Sequence, residues 1–121
     1  MATTFTLTKT SEGRFVFTFK THDGQVLLTS YRYADKDSAL RAISAARSCS
    51  RRKESFEILT EEDGQIYFVL KNAREEVLGE SQMYPDKESA RKVTALMMGK
   101  ARGARLEYLT DPQIRNRAHR K

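Results

Sequence analysis

This chain contains itself twice. Sliding the 121-residue sequence by 51 positions, without a gap, lays Phe5 on Phe56, Gly13 on Gly64, Phe17 on Phe68, Lys20 on Lys71, Val26 on Val77 and Leu27 on Leu78. The match continues through Ser30 and Ser81, Tyr33 and Tyr84, Asp35 and Asp86, Lys36 and Lys87, Ser38 and Ser89, and Ala39 and Ala90. A repeat held in register over about fifty residues is one supersecondary unit used twice, and it implies a pseudo-twofold axis. A unit of that length is near the lower limit of independent folding, so the two halves are expected to share one core.

Within repeat one, Phe5-Thr6-Leu7-Thr8 alternates apolar and polar, and Ser11-Glu12-Gly13 reads as a hairpin turn. The next strand, Arg14 to Lys20, places Phe15, Phe17 and Phe19 on one face and Val16 and Thr18 on the other. Asp23-Gly24 suits the positive φ of a two-residue hairpin turn, and Gln25 to Ser30 returns as a third strand. From Asp35, a natural N-cap, the period becomes helical, with Ala39, Ala42, Ile43 and Ala46 as an apolar stripe. Repeat two follows the same plan, with Ile66, Phe68 and Leu70 in place of the three core phenylalanines. Its helix is entered through Pro85 and the N-cap Asp86, and Ala90, Val93, Thr94, Met97, Met98 and Ala101 make its stripe. Arg74-Glu75 stands where repeat one has Asp23-Gly24, which predicts a turn built differently there, with a longer or strained loop.

After the second helix, Leu106 to Thr110 echoes Phe56 to Thr60. Each unit is therefore expected to donate its trailing strand to the other's sheet edge, joining the halves. The expected fold is α+β: two tandem β-β-β-α repeats plus a C-terminal strand, in a single, mainly antiparallel sheet with exchanged strands and two helices on one face. The expected organisation is one pseudo-twofold domain over residues 1–110, with repeat one at 4–54 and repeat two at 55–110. Residues 111–121, with Ile114 as their only large apolar side chain, read as a disordered basic tail.

These residues resemble the YegP-like family of small prokaryotic proteins built from repeats of this size. The resemblance spans Phe5 to about Thr110. It rests on Phe15-Val16-Phe17-Thr18-Phe19-Lys20 followed by Asp23-Gly24, on the Ser30 to Tyr33 and Ser81 to Tyr84 segments, and on the Lys-x-Ser-Ala runs at Lys36 and Lys87. It implies the same two-unit fold with exchanged C-terminal strands, and it supplies no catalytic residue, since the family is a domain of unknown function. Two features depart from the family pattern: the helix end Leu96-Met97-Met98-Gly99 and the basic tail.

Composition narrows the function. The formal net charge is +6, but it is uneven: residues 1–54 hold ten Lys/Arg against five Asp/Glu, residues 55–110 eight against ten, and residues 111–121 four against one. No apolar run approaches a membrane span, Met1 to Phe5 lacks the pattern of a secretory signal, and a single cysteine makes no internal disulfide, which together point to a cytoplasmic protein, and the resemblance implies a bacterial one. One Cys and two His give little for nucleophilic catalysis or zinc, and no glycine loop suggests a nucleotide site. No enzyme, metal or cofactor is expected. Cys49, among Arg47, Arg51 and Arg52, is a candidate reactive thiol against the simpler reading of a packed small side chain.

Three groups of candidate site residues remain. Ser30 and Tyr33, with Ser81 and Tyr84, are polar pairs reproduced by the repeat; they suit an anion at a helix N-terminus, or, more simply, backbone bonding and a staple at the helix entry. Arg41, Arg47, Arg51, Arg52 and Lys53, joined by Arg115, Arg117, Arg120 and Lys121 of the tail, form the basic surface that nucleic acid would need. Val16, Thr18, Tyr67 and Val69 make a half-apolar sheet face, with Tyr31 and Tyr108 as further open aromatics, which suits a protein partner. The reading is a small non-enzymatic protein-interaction or structural module, monomeric or weakly homodimeric, with an unknown protein partner. The alternative is weak, sequence-nonspecific nucleic-acid binding through the end of helix one and the tail.

Overall fold

A computed structural model of the chain describes residues 3–109. Repeat one gives β1 (Thr4–Lys9), β2 (Phe15–Lys20), β3 (Val26–Ser30) and α1 (Lys36–Cys49). A short 3-10 turn at Lys53–Ser55 leads into repeat two: β4 (Phe56–Thr60), β5 (Ile66–Lys71), β6 (Val77–Glu80) and α2 (Lys87–Lys100), with β7 (Arg105–Leu109) after it. The seven strands form one sheet in the order β4-β5-β6-β3-β2-β1-β7, antiparallel at every pairing but β1–β7.

Strand alternation sends Phe15, Phe17 and Phe19 to the helix side, at 9%, 0% and 0% exposure, and the small stripe of α1 (Ala39, Ala42, Ile43, Ala46) lets that helix lie close above them. Ile66, Phe68 and Leu70 do the same under Ala90, Thr94 and Met97 of α2. Both sets belong to one apolar cluster, so the halves do share a core.

Both helices start at the caps read from the sequence. Asp35 accepts from the Ser38 N–H and Asp86 from the Ser89 N–H, each at 2.7 Å. These backbone bonds hold both carboxyls below their ordinary pKa. A folded pKa below the unfolded one means stability that is present above the ordinary carboxylate range and is lost as pH falls through the depressed folded value. Acid unfolding should therefore begin as pH drops below that range, and Asp35→Asn with Asp86→Asn, followed by circular dichroism against pH, should flatten that limb. An unchanged acid limb would mean the caps do not carry it.

The four hairpins share one design, which corrects two expectations. Each is a three-residue loop closed by a pair of backbone bonds, as in Thr21 N–H to Gln25 C=O and Gly24 N–H to Thr21 C=O, both 3.0 Å, so Asp23-Gly24 is not a two-residue turn. The loop needs a left-handed residue at its third position. Gly13, Gly24 and Gly64 supply it with φ of 83°, 88° and 88°, and Glu75 supplies it with φ 67°. The Arg74-Glu75 turn is thus built like the others, with Asn72 N–H to Glu76 C=O at 2.9 Å, and holds strain instead of extra length. Glu75→Gly should raise stability by about 1 kcal/mol, since a left-handed non-glycine residue costs about 1–2 kcal/mol and glycine returns part of that as unfolded-chain entropy. A urea midpoint that fails to rise would mean that the Lys71–Glu75 ion pair, 2.9 Å, outweighs the strain.

The trailing strands do change halves, but unequally. β4, which follows α1, becomes the first strand of repeat two and pairs antiparallel with β5, whereas β7, which follows α2, lies parallel beside β1. β7 therefore joins repeat two to the edge of repeat one, as expected, whereas β4 stays within its own repeat. The halves also meet at the centre of the sheet, at β3 and β6, through Thr29 opposite Glu80 and Ser30 opposite Gly79.

Candidate functional site

The repeated polar pairs are used by the fold. The Ser30 hydroxyl accepts from the Phe17 N–H at 2.9 Å and donates to the Tyr31 carbonyl at 2.7 Å. Ser81 repeats this with the Phe68 N–H and the Gln82 carbonyl at 2.9 and 2.8 Å. Tyr33 and Tyr84 close bridges to Phe15 and Ile66, and their rings stack on Phe17 and Phe68 at 6.4 Å. Burial pushes both phenols above their ordinary pKa, with Glu76 adding to the rise at Tyr33. With both serines buried and bonded to backbone, the geometry leaves them little for an anion.

The basic residues separate. Arg47 is committed: its guanidinium donates to the carbonyls of Ala101, Arg102 and Ala104 at 3.4, 3.2 and 2.6 Å and lies 5.1 Å from the Phe5 ring centroid. A charged donor so placed fastens the turn between α2 and β7, so Arg47 is withdrawn from the phosphate contacts expected of it. Arg51, Arg52 and Lys53 are exposed on the link between α1 and β4, and Arg41 is exposed on α1. Arg115, Arg117, Arg120 and Lys121, with the tail as a whole, lie outside the described residues.

The sheet face away from the helices is less open than its residues suggest. Val69 is 5% exposed, and the hydroxyls of Thr18 and its register partner Thr6 are buried with no hydrogen-bond partner among the described residues. Val16 and Tyr67 are half-buried, and the exposed aromatic beside them is Tyr31, whose hydroxyl donates to Glu80 at 3.2 Å. Lys71 sits between Glu57 and Glu75 at 3.0 and 2.9 Å, and those bonds raise its pKa.

A different surface stands out by comparing the two sheet edges. On β1, Phe5 and Leu7 are 0% exposed, flanked by β7 with Leu106 and Tyr108 in register beside them. On β4, the equivalent Phe56 and Ile58 are only half-buried, and β5 is the strand's sole sheet neighbour among the described residues. Beside them runs a groove of about 440 Å³ lined by Lys53, Glu54, Phe56, Ile58, Arg91, Thr94 and Met98. Among the described residues there is one trailing strand too few to cover both edges. That signal lies in the sequence, where two three-strand repeats are followed by a single extra strand, but the edge left bare depends on pairing.

The comparisons with known proteins follow this architecture. The model of a domain of unknown function, DUF1508, matches residues 11–57 and again 61–107. The chain belongs to the DUF1508 family. The UPF0339 protein YegP of Escherichia coli K12 is 39% identical over 103 residues, covering 85% of this chain and 92% of that protein. A UPF0339 protein of Pseudomonas aeruginosa is 39% identical over 90 residues, covering 74% and 82%. Among solved structures, the solution structure of Escherichia coli YegP superposes with a TM-score of 0.84 at 34% identity, covering 91% of this chain and 95% of that one. That of the Shewanella oneidensis UPF0339 protein SO3888 gives 0.84 at 27%, covering 91% and 93%. The YegP-like resemblance and the α+β architecture are thereby shown, and the family they lead to has no assigned function.

In this DUF1508 chain, α1 and the Asn72–Glu76 turn enclose a second cleft of about 770 Å³, lined in part by Tyr33, Arg41, Cys49, Arg74 and Glu76. Its pseudo-twofold counterpart, about 350 Å³, lies between α2 and the Thr21–Gln25 turn. Cys49 is half-buried there, away from His22, which borders the other cleft; His119 lies outside the described residues. Among the described residues no three His, Cys, Asp or Glu side chains gather as a metal site, and no helix is long and apolar enough to cross a membrane.

Proposed function

We propose that this DUF1508 chain is a non-enzymatic, cytoplasmic protein-interaction module that engages its partner at the β4 edge. The observation that supports this reading most directly is the contrast between the two edges: apolar residues of one repeat are sealed by a strand, and their equivalents in the other are half-exposed beside a groove of mixed apolar and charged lining. An unpaired strand offers a row of backbone donors and acceptors, and natural proteins use such edges for strand addition. The open sheet face around Val16, Thr18, Tyr67 and Val69 is the competing docking surface. It offers less, because Val69 and the Thr18 hydroxyl are themselves buried.

A photo-cross-linking amino acid placed in cells at Met98, Tyr67 or Arg51 separates the readings. Discrete protein adducts are expected from Met98. Adducts confined to Tyr67 would move the docking site to the open face, and nucleic-acid adducts from Arg51 alone would favour the phosphate-binding alternative. Absence of any protein adduct at all three positions would end the interaction reading.

A further inference from the structure

Resting on that reading, we propose that the β4 edge takes up an extended peptide segment of another protein, parallel to β4, carrying an apolar, a basic, an aromatic and an apolar residue in succession. The chain holds the template for this in β7. Its register sets Leu106, Glu107, Tyr108 and Leu109 beside Phe5, Thr6, Leu7 and Thr8. Carried across the pseudo-twofold, an incoming strand sets four successive residues beside Phe56, Glu57, Ile58 and Leu59. Strand neighbours in register share a face, so the first and third of them lie on the groove side, beside Phe56, Ile58, Thr94 and Met98, with Lys53, Glu54 and Arg91 at its rim, and, like Leu106 and Tyr108, stay part-exposed.

The composition of that groove selects its occupant. Met98 holds the place that Arg47 holds in repeat one, so an apolar wall replaces the guanidinium that fastens a turn there. A plain apolar strand fits this site better than a polar turn does. At the third position the template is Tyr108, whose ring centroid lies 4.2 Å from the Lys36 ammonium. Lys87 stands at the place of Lys36, and Arg91 lines the same groove, so an aromatic ring at that position gains cation–π contact. The second position lies on the open face beside Glu57, whose half-exposed carboxylate is paired with Lys71 at 3.0 Å on its other side and still favours a basic over an acidic side chain there. The same carboxylate disfavours a second copy's β7. Glu107 sits beside neutral Thr6 in its own sheet, but at another copy's β4 it would face Glu57.

The test uses the full, isotope-labelled chain and two short synthetic peptides, identical but for the second position: leucine-lysine-tyrosine-leucine and leucine-glutamate-tyrosine-leucine cores. Each peptide carries a nitroxide at its N-terminus. Titration should shift β4 and α2 resonances, with the lysine peptide binding about threefold more tightly, the range of a cross-strand charge pair. Glu57→Lys should invert that preference, which a merely structural role for Glu57 would not do. The nitroxide should broaden the Ser55 end of β4. Broadening at the Thr60 end, equal affinity for both peptides, or no inversion overturns the proposed occupant while leaving an edge interaction in place. Sedimentation showing a dimer through β4 that neither peptide displaces also overturns it. No perturbation of β4 by either peptide overturns the inference too, and cross-linking from Met98 then decides separately whether the interaction reading falls with it.

Discussion

Phe5→Ala is expected to cost about 4 kcal/mol, and Phe56→Ala about half as much, although the two residues occupy the same place in the repeat. Phe5 is fully buried, with its ring against Phe17 and Phe19 at centroid distances of 6.0 and 4.9 Å and the Arg47 guanidinium above it. Truncation there leaves a cavity that the sheet, fixed on both sides by β2 and β7, cannot close. Phe56 contacts Phe68 at 5.7 Å but keeps part of its surface in solvent, so truncation removes less buried area and the site can relax outward. A domain of this size has about 5–15 kcal/mol of stability in all, so the Phe5 variant should melt on the order of 20 °C lower. Urea denaturation of both variants measures the difference. Equal losses would mean that the β4 edge is as well covered in solution as β1, and the proposed docking groove would go with that result.

Gly79→Ala should destabilise the fold by about 3 kcal/mol, the upper part of the range for overpacking a filled interior. A β-carbon at Gly79 would lie 2.8 Å from the Thr29 carbonyl oxygen and 3.1 and 3.2 Å from Leu28 side-chain carbons. The first of these is backbone and cannot rotate away. The position also matters more than most, because the β3–β6 contact is the seam between the repeats and rests on two register pairs. Repeat one has Leu28 where repeat two has Gly79, so a large and a small residue complement each other across the pseudo-twofold axis. Chemical denaturation reads the loss, and hydrogen exchange at Ser30 and Ser81 should rise first. A loss below about 1 kcal/mol would show that β3 and β6 separate enough to admit a methyl group.

Much of this molecule was legible before any fold was seen, because its signals are local or repeated. The 51-residue offset fixes two equivalent units, the alternation of Phe15, Phe17 and Phe19 fixes a strand and its buried face, and Asp35 and Asp86 fix the helix starts through side chains that reach only three residues on. The hairpin geometry was less legible. A glycine at the left-handed position announces itself, whereas Glu75 is marked only by comparison with Gly24 in the other repeat, which points to strain or extra length without saying which.

Which charges are free was also not legible. Arg47 belongs by sequence to a basic run with Arg51, Arg52 and Lys53, but its partners, the carbonyls of Ala101, Arg102 and Ala104, lie more than fifty positions away and have no sequence signature as backbone groups. The open sheet face misled in the same way: alternation says which way Thr18 and Val69 point, and only the twist and packing of neighbouring strands decide that little of them meets solvent. The sequence by itself determined the units, their faces and their caps, through interactions that span a turn of helix or two residues of strand. The tertiary structure alone decided where the units join, which edge β7 covers and that β4 has no second strand beside it among the described residues, because strand pairing is a contest between distant backbones that all carry the same donors and acceptors.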